Sequence, residues 1–384
     1  MKKLIKLIFV IFIFSTYLKP AGFDLLGFDA INQFFNISRI IITIFIFYFY
    51  FKKIKRLSKY LKYESCFFLC LGISTCFSGK GIDTFVIFSV SIVALSMLIE
   101  LLIKENINLL IKGLFSCYFI LLIGNLVYML SLFGFTINIE EAYPEVFDYN
   151  SELVITLLSS VNGVASFIFP ALCSAILLMF ATSKKNIWSW LLIIISFATE
   201  LILWSATSLT GVFIILAYVL CFYGKKIEKF IKKKIIIGAA LAVSLGVTFF
   251  NIQHFFSFII VDILHKDLTM TGRTNVWNIG YKGFFSSPIW GCGISSKTID
   301  NGFVQLLYMG GLIGTLFFII FVFHNMKYLC NSQYKSIPNF FSVVIAVVFL
   351  MFMSESWPQF MGLYVILVLS VNARNIERRL SDLD

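Results

Sequence analysis

The stretch IDTFVIFSVSIVALSMLIELLI, residues 82–103, is followed after Lys104-Glu105-Asn106 by INLLIKGLFSCYFILLIGNLVYMLSLF, residues 107–133. A helix crosses a bilayer with about 20 mostly apolar residues, within a range of roughly 17–25. Two such runs in succession set the fold class, and the pattern repeats in both directions. Apolar runs lie near 3–19, 36–51, 63–79, 82–103, 107–133, 161–182, 187–205, 208–223, 234–252, 302–324, 338–354 and 358–373. The expectation is an all-α integral membrane protein of about twelve transmembrane helices, some short enough to need tilt or local thinning of the bilayer.

Composition agrees. The 384 residues are 59% hydrophobic and 13% charged, whereas soluble domains average about 45–50% apolar and roughly 25% charged residues. The formal charge of +11 does not point to nucleic acid, because no basic face is interleaved with aromatics. Membrane proteins collect positive charge in their cytoplasmic loops. The eight cysteines form no CxxC pair and no Cys/His cluster, so no metal is expected, and they read as small hydrophobes. The N-terminal run follows Lys2, Lys3 and Lys6 and ends in Leu18-Lys19-Pro20. It lacks a small-x-small cleavage site and reads as a retained first helix.

Lys and Arg give the orientation. With the N-terminus inside, the segments 1–6, 52–62, 104–112, 183–186, 224–234, 325–337 and 374–384 are cytoplasmic, and they hold 24 of the 31 basic residues. Seven remain outside: Lys19, Arg39, Lys80, Lys266, Arg273, Lys282 and Lys297. Both termini are therefore expected in the cytoplasm of a multi-pass protein of the cell inner membrane. One integral domain spans 1–384, with outer loops at about 134–160 and about 253–301. The first of these carries Glu140, Glu141, Glu145, Asp148 and Glu152.

The longer loop holds the sequence Thr271-Gly272-Arg273-Thr274-Asn275-Val276-Trp277-Asn278-Ile279-Gly280-Tyr281-Lys282-Gly283-Phe284-Phe285. It reads as a helix with Thr271 as N-cap. Trp277, Tyr281 and Phe284 form one stripe, expected to rest at the membrane surface. Asn275, Asn278 and Lys282 form another. Ser286-Ser287-Pro288 ends it, and Gly291-Cys292-Gly293 gives a turn free to take positive φ. Arg273 stands in the first turn, where free N–H groups and the helix dipole favour an anion. Its guanidinium would add forked donors suited to phosphate.

The pattern Gly272-Arg273…Trp277…Phe285…Pro288…Gly291-x-Gly293, followed by Asp300-Asn301-x-Phe303…Leu306…Gly310-Gly311-Leu312-Ile313-Gly314, resembles the signature of the O-antigen polymerase and O-antigen ligase superfamily. The likeness covers roughly residues 271–314. Beyond them only the hydropathy agrees. It implies a GT-C-like helical architecture and a metal-independent glycosyltransferase without a cofactor. Such an enzyme works at the outer face on undecaprenyl-diphosphate-linked glycans. Its partners are those lipid-linked glycans, the lipid bilayer, a flippase and a chain-length regulator, in the synthesis of lipopolysaccharide or capsule.

Two departures bear on the reading. The ligase branch carries a His just before the Asn, and here that place is Asp300. Many members start a middle helix with a Ser-Arg pair, whereas Ser208-Leu209-Thr210-Gly211 lacks the Arg. The expected function is accordingly a polysaccharide polymerase. An O-antigen ligase and a polysaccharide transporter or flippase are the alternatives.

The resemblance assigns substrate binding to Arg273, Trp277, Lys282, Gly291, Gly293 and Asn301, and makes Asp300 and Glu200 candidate general bases. Each has a simpler reading beside it. Arg273 would serve as a head-group anchor and Asp300 as a helix cap. Glu200, inside an apolar run toward its outer end, would snorkel to the interface. His265 and Glu355 read as surface residues. The acids at 140–152 read as a solvated loop that would, in the functional reading, hold the acceptor glycan. Lys297, with Lys282, would help with phosphate.

Overall fold

The computed structural model describes residues 2–133, 156–203, 205–225, 228, 231–250, 252, 273–294, 298–332 and 336–382. It is helical throughout, with no strand among these residues. The helices are α1 (Lys2–Tyr17), α2 (Asp29–Ile54), α3 (Lys59–Ser78), α4 (Ile82–Glu105), α5 (Ile107–Phe133), α6 (Ala165–Ala181) and α7 (Ile187–Leu203). There follow α8 (Ala206–Cys221), α9 (Lys233–Phe250), α10 (Arg273–Ser286), α11 (Gly302–Cys330), α12 (Ser336–Met351), α13 (Met361–Val371) and α14 (Ala373–Ser381). Each of the twelve apolar runs in the sequence falls on one of them, and α10 is the helix expected in the long loop. Five helices (α2, α4, α5, α9 and α11) are long and apolar enough to cross a membrane, and α6, α7, α8, α12 and α13 are shorter apolar helices. The chain is a helical membrane protein.

Burial sorts the helices into shells. Nearly every residue of α6, α12 and α13 is buried, so these three form the centre of the bundle. By contrast α2 leaves Phe34, Ile37, Ile41, Ile44 and Phe45 exposed. Bilayer is the solvent that accepts such a face. Pro170 lies inside α6; it has no N–H for the Ser166 carbonyl one turn earlier. Gly362, at the start of α13, lies against that carbonyl, where any Cβ would collide with Ser166 O.

The longest helix is broken. Gly311 takes φ 58° and ψ −156° inside α11, a region open essentially only to glycine. The break leaves backbone groups without helical partners. The turn after α10 supplies them. Leu312 N–H donates to Pro288 O (2.9 Å) and Ile313 N–H to Ile289 O (3.2 Å). In return Cys292 N–H donates to Tyr308 O (2.7 Å) and Gly293 N–H to Met309 O (3.0 Å). Helix α3 completes the joint: the Ser74 hydroxyl donates to Met309 O (2.5 Å) and accepts from Gly293 N–H (3.1 Å), and Thr75 Oγ1 accepts from Ile294 N–H (3.1 Å). This joint stitches α3, α10 and α11 into one unit.

Alanine at Gly311 would hold a Cβ in a disfavoured region and press it on Ile289 O and Gly291 N. Gly311→Ala is therefore expected to lower stability by about 1–3 kcal/mol, read as a lower midpoint in thermal unfolding in detergent. Gly314→Ala, whose Cβ would meet only Leu71 Cδ2 at 3.5 Å, should change it little. Equal effects would contradict the joint's role.

Candidate functional site

Helix α10 lies on the start of α11. Trp277 is buried, and its indole N–H donates to the Asp300 carbonyl (3.0 Å). Gly280 and Gly283 bring the backbone close, the first to Ile299 and Val304 and the second to Tyr308. Half-buried Tyr281 donates from its hydroxyl to Thr248 O (3.1 Å) at the end of α9. Burial pushes this phenol above its ordinary pKa, which keeps it a donor. Trp277 and Tyr281 of the aromatic stripe therefore pack into the protein rather than on the membrane surface, because the facing helices offer apolar contacts and backbone acceptors. Asn278 and Lys282, on the other stripe, are exposed.

Asn301 is the N-cap of α11: its Oδ1 accepts from Phe303 N–H (3.0 Å) and Val304 N–H (3.1 Å). Its Nδ2 donates to Thr248 Oγ1 (3.0 Å) and Met353 O (3.3 Å). The side chain is fully buried. It ties together α9, the start of α11 and the turn after α12. Capping thus falls to Asn301 and not to Asp300. Asp300 is partly buried and holds Trp277 through its main chain.

The turn after α12 carries this unit to the buried carboxylates. Gly302 N–H donates to Phe352 O (2.6 Å), and two residues past Met353 comes Glu355. Glu355 is 2% exposed. The surface position expected for it gives way to burial because the 352–360 turn folds onto α6, where Trp357 meets Phe169 at 5.8 Å between ring centroids. Glu355 lies within electrostatic reach of Glu200. Glu200 is wholly buried, and neither of its oxygens has a hydrogen-bond partner among the described residues. It does not snorkel.

Among the sequence-derived candidates, then, Trp277, Asp300 and Asn301 meet directly, and Glu200 joins them through the 352–355 turn. Gly291 and Gly293 sit at the helix break with their N–H groups bonded to Ser287 O and Met309 O, which makes them positioning residues. Arg273 opens α10; nothing of its side chain is described. Lys297, His265, the acids at 140–152 and residues 253–272 lie outside the described residues.

Three buried acids are not among the sequence-derived candidates: Glu64, Glu100 and Glu228, whose carboxylate accepts from the Tyr218 hydroxyl (2.7 Å) and Gly224 N–H (2.9 Å). Glu64 Oε1 accepts from the Tyr60 and Ser96 hydroxyls, both at 2.9 Å. The Glu100 carboxylate accepts from Tyr50 (2.9 Å) and Ser58 (2.6 Å). The signal was present in the run Leu98-Ile99-Glu100-Leu101-Leu102, an acid flanked on both sides by apolar residues.

No protein-family model matches the chain, and no curated protein matches it.

Asn301→Ala should lower stability by about 0.5–2 kcal/mol through the lost cap alone. Asn301→Ser, which keeps a capping oxygen, should recover part of that loss. Denaturant unfolding followed by Trp fluorescence measures both; an unchanged midpoint for Asn301→Ala would remove it from the joint.

Proposed function

We propose that the chain is a polysaccharide polymerase that joins undecaprenyl-diphosphate-linked oligosaccharide repeat units at the outer face of the cytoplasmic membrane. In this reading twelve helices cross the bilayer in a GT-C-like architecture, both termini are cytoplasmic, and α10 lies outside. The observation that carries the reading is the meeting of separated motif residues. Trp277, Gly291, Gly293, Asp300, Asn301 and Gly311 fall in a loop helix, a turn and the next apolar helix, and hydrogen bonds join these three pieces into one unit at the first half of the broken helix.

The chemistry follows from that arrangement. The growing glycan on one lipid diphosphate is the donor, and the terminal sugar hydroxyl of the incoming lipid-linked unit attacks its anomeric carbon. The C–O bond to the diphosphate breaks, and undecaprenyl diphosphate leaves with the bonding electrons. Arg273, at the first turn of α10, and exposed Lys282 would stabilise the charge that develops on the diphosphate. A carboxylate, Asp300 or Glu200, would take the hydroxyl proton. The buried unit behind them fixes α10, so the reacting groups are positioned before substrate arrives. No nucleotide sugar enters this scheme, which suits a site outside the cell.

One observation favours a second reading, a transporter or flippase. Glu64, Glu100, Glu200 and Glu355 are buried in the bundle, and buried acids line the pathways of many transporters. The ligase reaction, with another acceptor, is the third reading; Asp300 in the place of the ligase-type His speaks against it.

Deleting the gene separates the three. Loss of a polymerase leaves single repeat units still delivered to the surface, so a glycan ladder collapses to one repeat; this is the expected result. Loss of a ligase would leave long polymer on the lipid carrier and none at the surface. Loss of a flippase would leave single units facing the cytoplasm.

A further inference from the structure

The last helix forms a basic surface that the reading above does not use. In α14, Ala373, Ile376 and Leu380 are buried against the bundle, while Arg374, Asn375 and Arg378 are exposed. Two other side chains fix its position. Glu377 accepts the Ile337 N–H at the start of α12 (2.9 Å), and the Arg379 guanidinium donates to the Lys104 carbonyl at the end of α4 (2.5 Å). Neither the Arg374 nor the Arg378 guanidinium has an ion-pair or hydrogen-bond partner among the described residues.

The cations continue onto the neighbouring helices. Lys104 and Lys112, exposed, stand at the end of α4 and the second turn of α5, and α14 packs against α5 as well as α12. The acids nearby do not cancel them. Glu377 is bonded to a backbone amide, Glu105 is paired with Lys53 (2.6 Å), Glu100 is buried with Tyr50 and Ser58, and among the described residues at the end of α14 Asp382 is the one exposed acid. The level of this surface is marked by Trp188, exposed at the start of α7 with its ring edge-on to Phe119 of α5. Lys112 lies two turns nearer the helix end than Phe119. Tryptophan marks the head-group level of a bilayer, so the basic residues stand among or just beyond the head groups.

We propose that this face of α14, with Lys104 and Lys112, binds the phosphate groups of anionic phospholipids in the leaflet it borders. Charge complementarity selects the occupant. An amphipathic helix with its apolar side on protein, and with Arg374 and Arg378 free of partners among the described residues, offers forked donors at the depth of lipid phosphates. A two-phosphate lipid of the cardiolipin class meets more of these cations at once than a one-phosphate lipid does. The inference rests on the membrane setting alone and stands whether or not the chain polymerises glycans.

The full chain, purified in mild detergent, is titrated with cardiolipin or with phosphatidylcholine, and bound lipid is counted by native mass spectrometry. Cardiolipin should be retained in preference to phosphatidylcholine. The Arg374→Glu/Arg378→Glu variant should lower that retention about tenfold or more, since each basic residue near the surface contributes to attraction. Arg374→Gln/Arg378→Gln should lower it less, with an unchanged unfolding midpoint. Lys80→Gln, an exposed cation just before the start of α4 and so at the opposite end of that helix from Lys104, should leave it within about twofold, since the attraction is local to the surface that carries it. Equal retention of the two lipids, undiminished retention by Arg374→Glu/Arg378→Glu, or an equal loss in the Lys80→Gln control would overturn the proposal.

Discussion

In hydrocarbon a backbone amide has no water to turn to, so each must find its partner inside the protein. That constraint explains why most of the chain is unbroken helix and why the one conspicuous exception is so thoroughly repaired. At Gly311 the longest helix leaves helical geometry, and the freed groups of residues 308–313 are matched by residues 288–293, carbonyl for amide and amide for carbonyl. Ser74 adds a bond to Met309 O and accepts from Gly293 N–H, and Thr75 accepts from Ile294 N–H. Glycine at 291, 293 and 311 permits the positive φ that this exchange needs. The turn after α10 has thereby become part of the bundle, and the helix before it is fixed in place.

The position of α10 follows from that repair. Held at its C-terminal end by the joint, it is held along its length by Trp277 on Asp300 O and by Tyr281 on Thr248 O. Asn301 locks the same region from below by capping α11 and reaching the turn after α12. In the proposed polymerase this rigidity is what the chemistry requires. Diphosphate is already a competent leaving group, so the protein has mainly to orient two large substrates and stabilise developing charge. The basic face of α14 borders the opposite side of the bundle in the proposed topology, where it would anchor the protein without touching the reaction.

Much of the fold was legible in the sequence because its determinants are local. Apolar runs of span length became helices, and Ser286-Ser287-Pro288 ended α10 where proline chemistry says it should. What depends on tertiary partners was not legible. Trp277 looked like an interfacial anchor, since nothing in a sequence says which aromatic face meets another helix; in the fold it is buried. Glu355, beside Trp357-Pro358, looked exposed, and only the packing of its turn on α6 hides it. The glycines of the Gly-x-Gly turn were legible as a special turn but not as the partners of the helix break at Gly311. Glu100 stands between apolar residues in the sequence, whereas Glu64 follows Lys62-Tyr63 and precedes Ser65, and the hydroxyls of Tyr50, Ser58 and Ser96 that meet these acids come from other elements that spacing alone does not pair.

In the proposed function this membrane bundle links sugars from lipid-diphosphate carriers without metal or nucleotide. The most direct measurement reconstitutes the purified full chain in liposomes with undecaprenyl-diphosphate-linked repeat units and a chelator, and resolves the lipid-linked products by length. The expected result is a ladder of lipid-linked glycans growing with time, with free undecaprenyl diphosphate released in step. Repeat units that remain single over many hours, with the protein folded and the units shown competent with another polymerase, would contradict it.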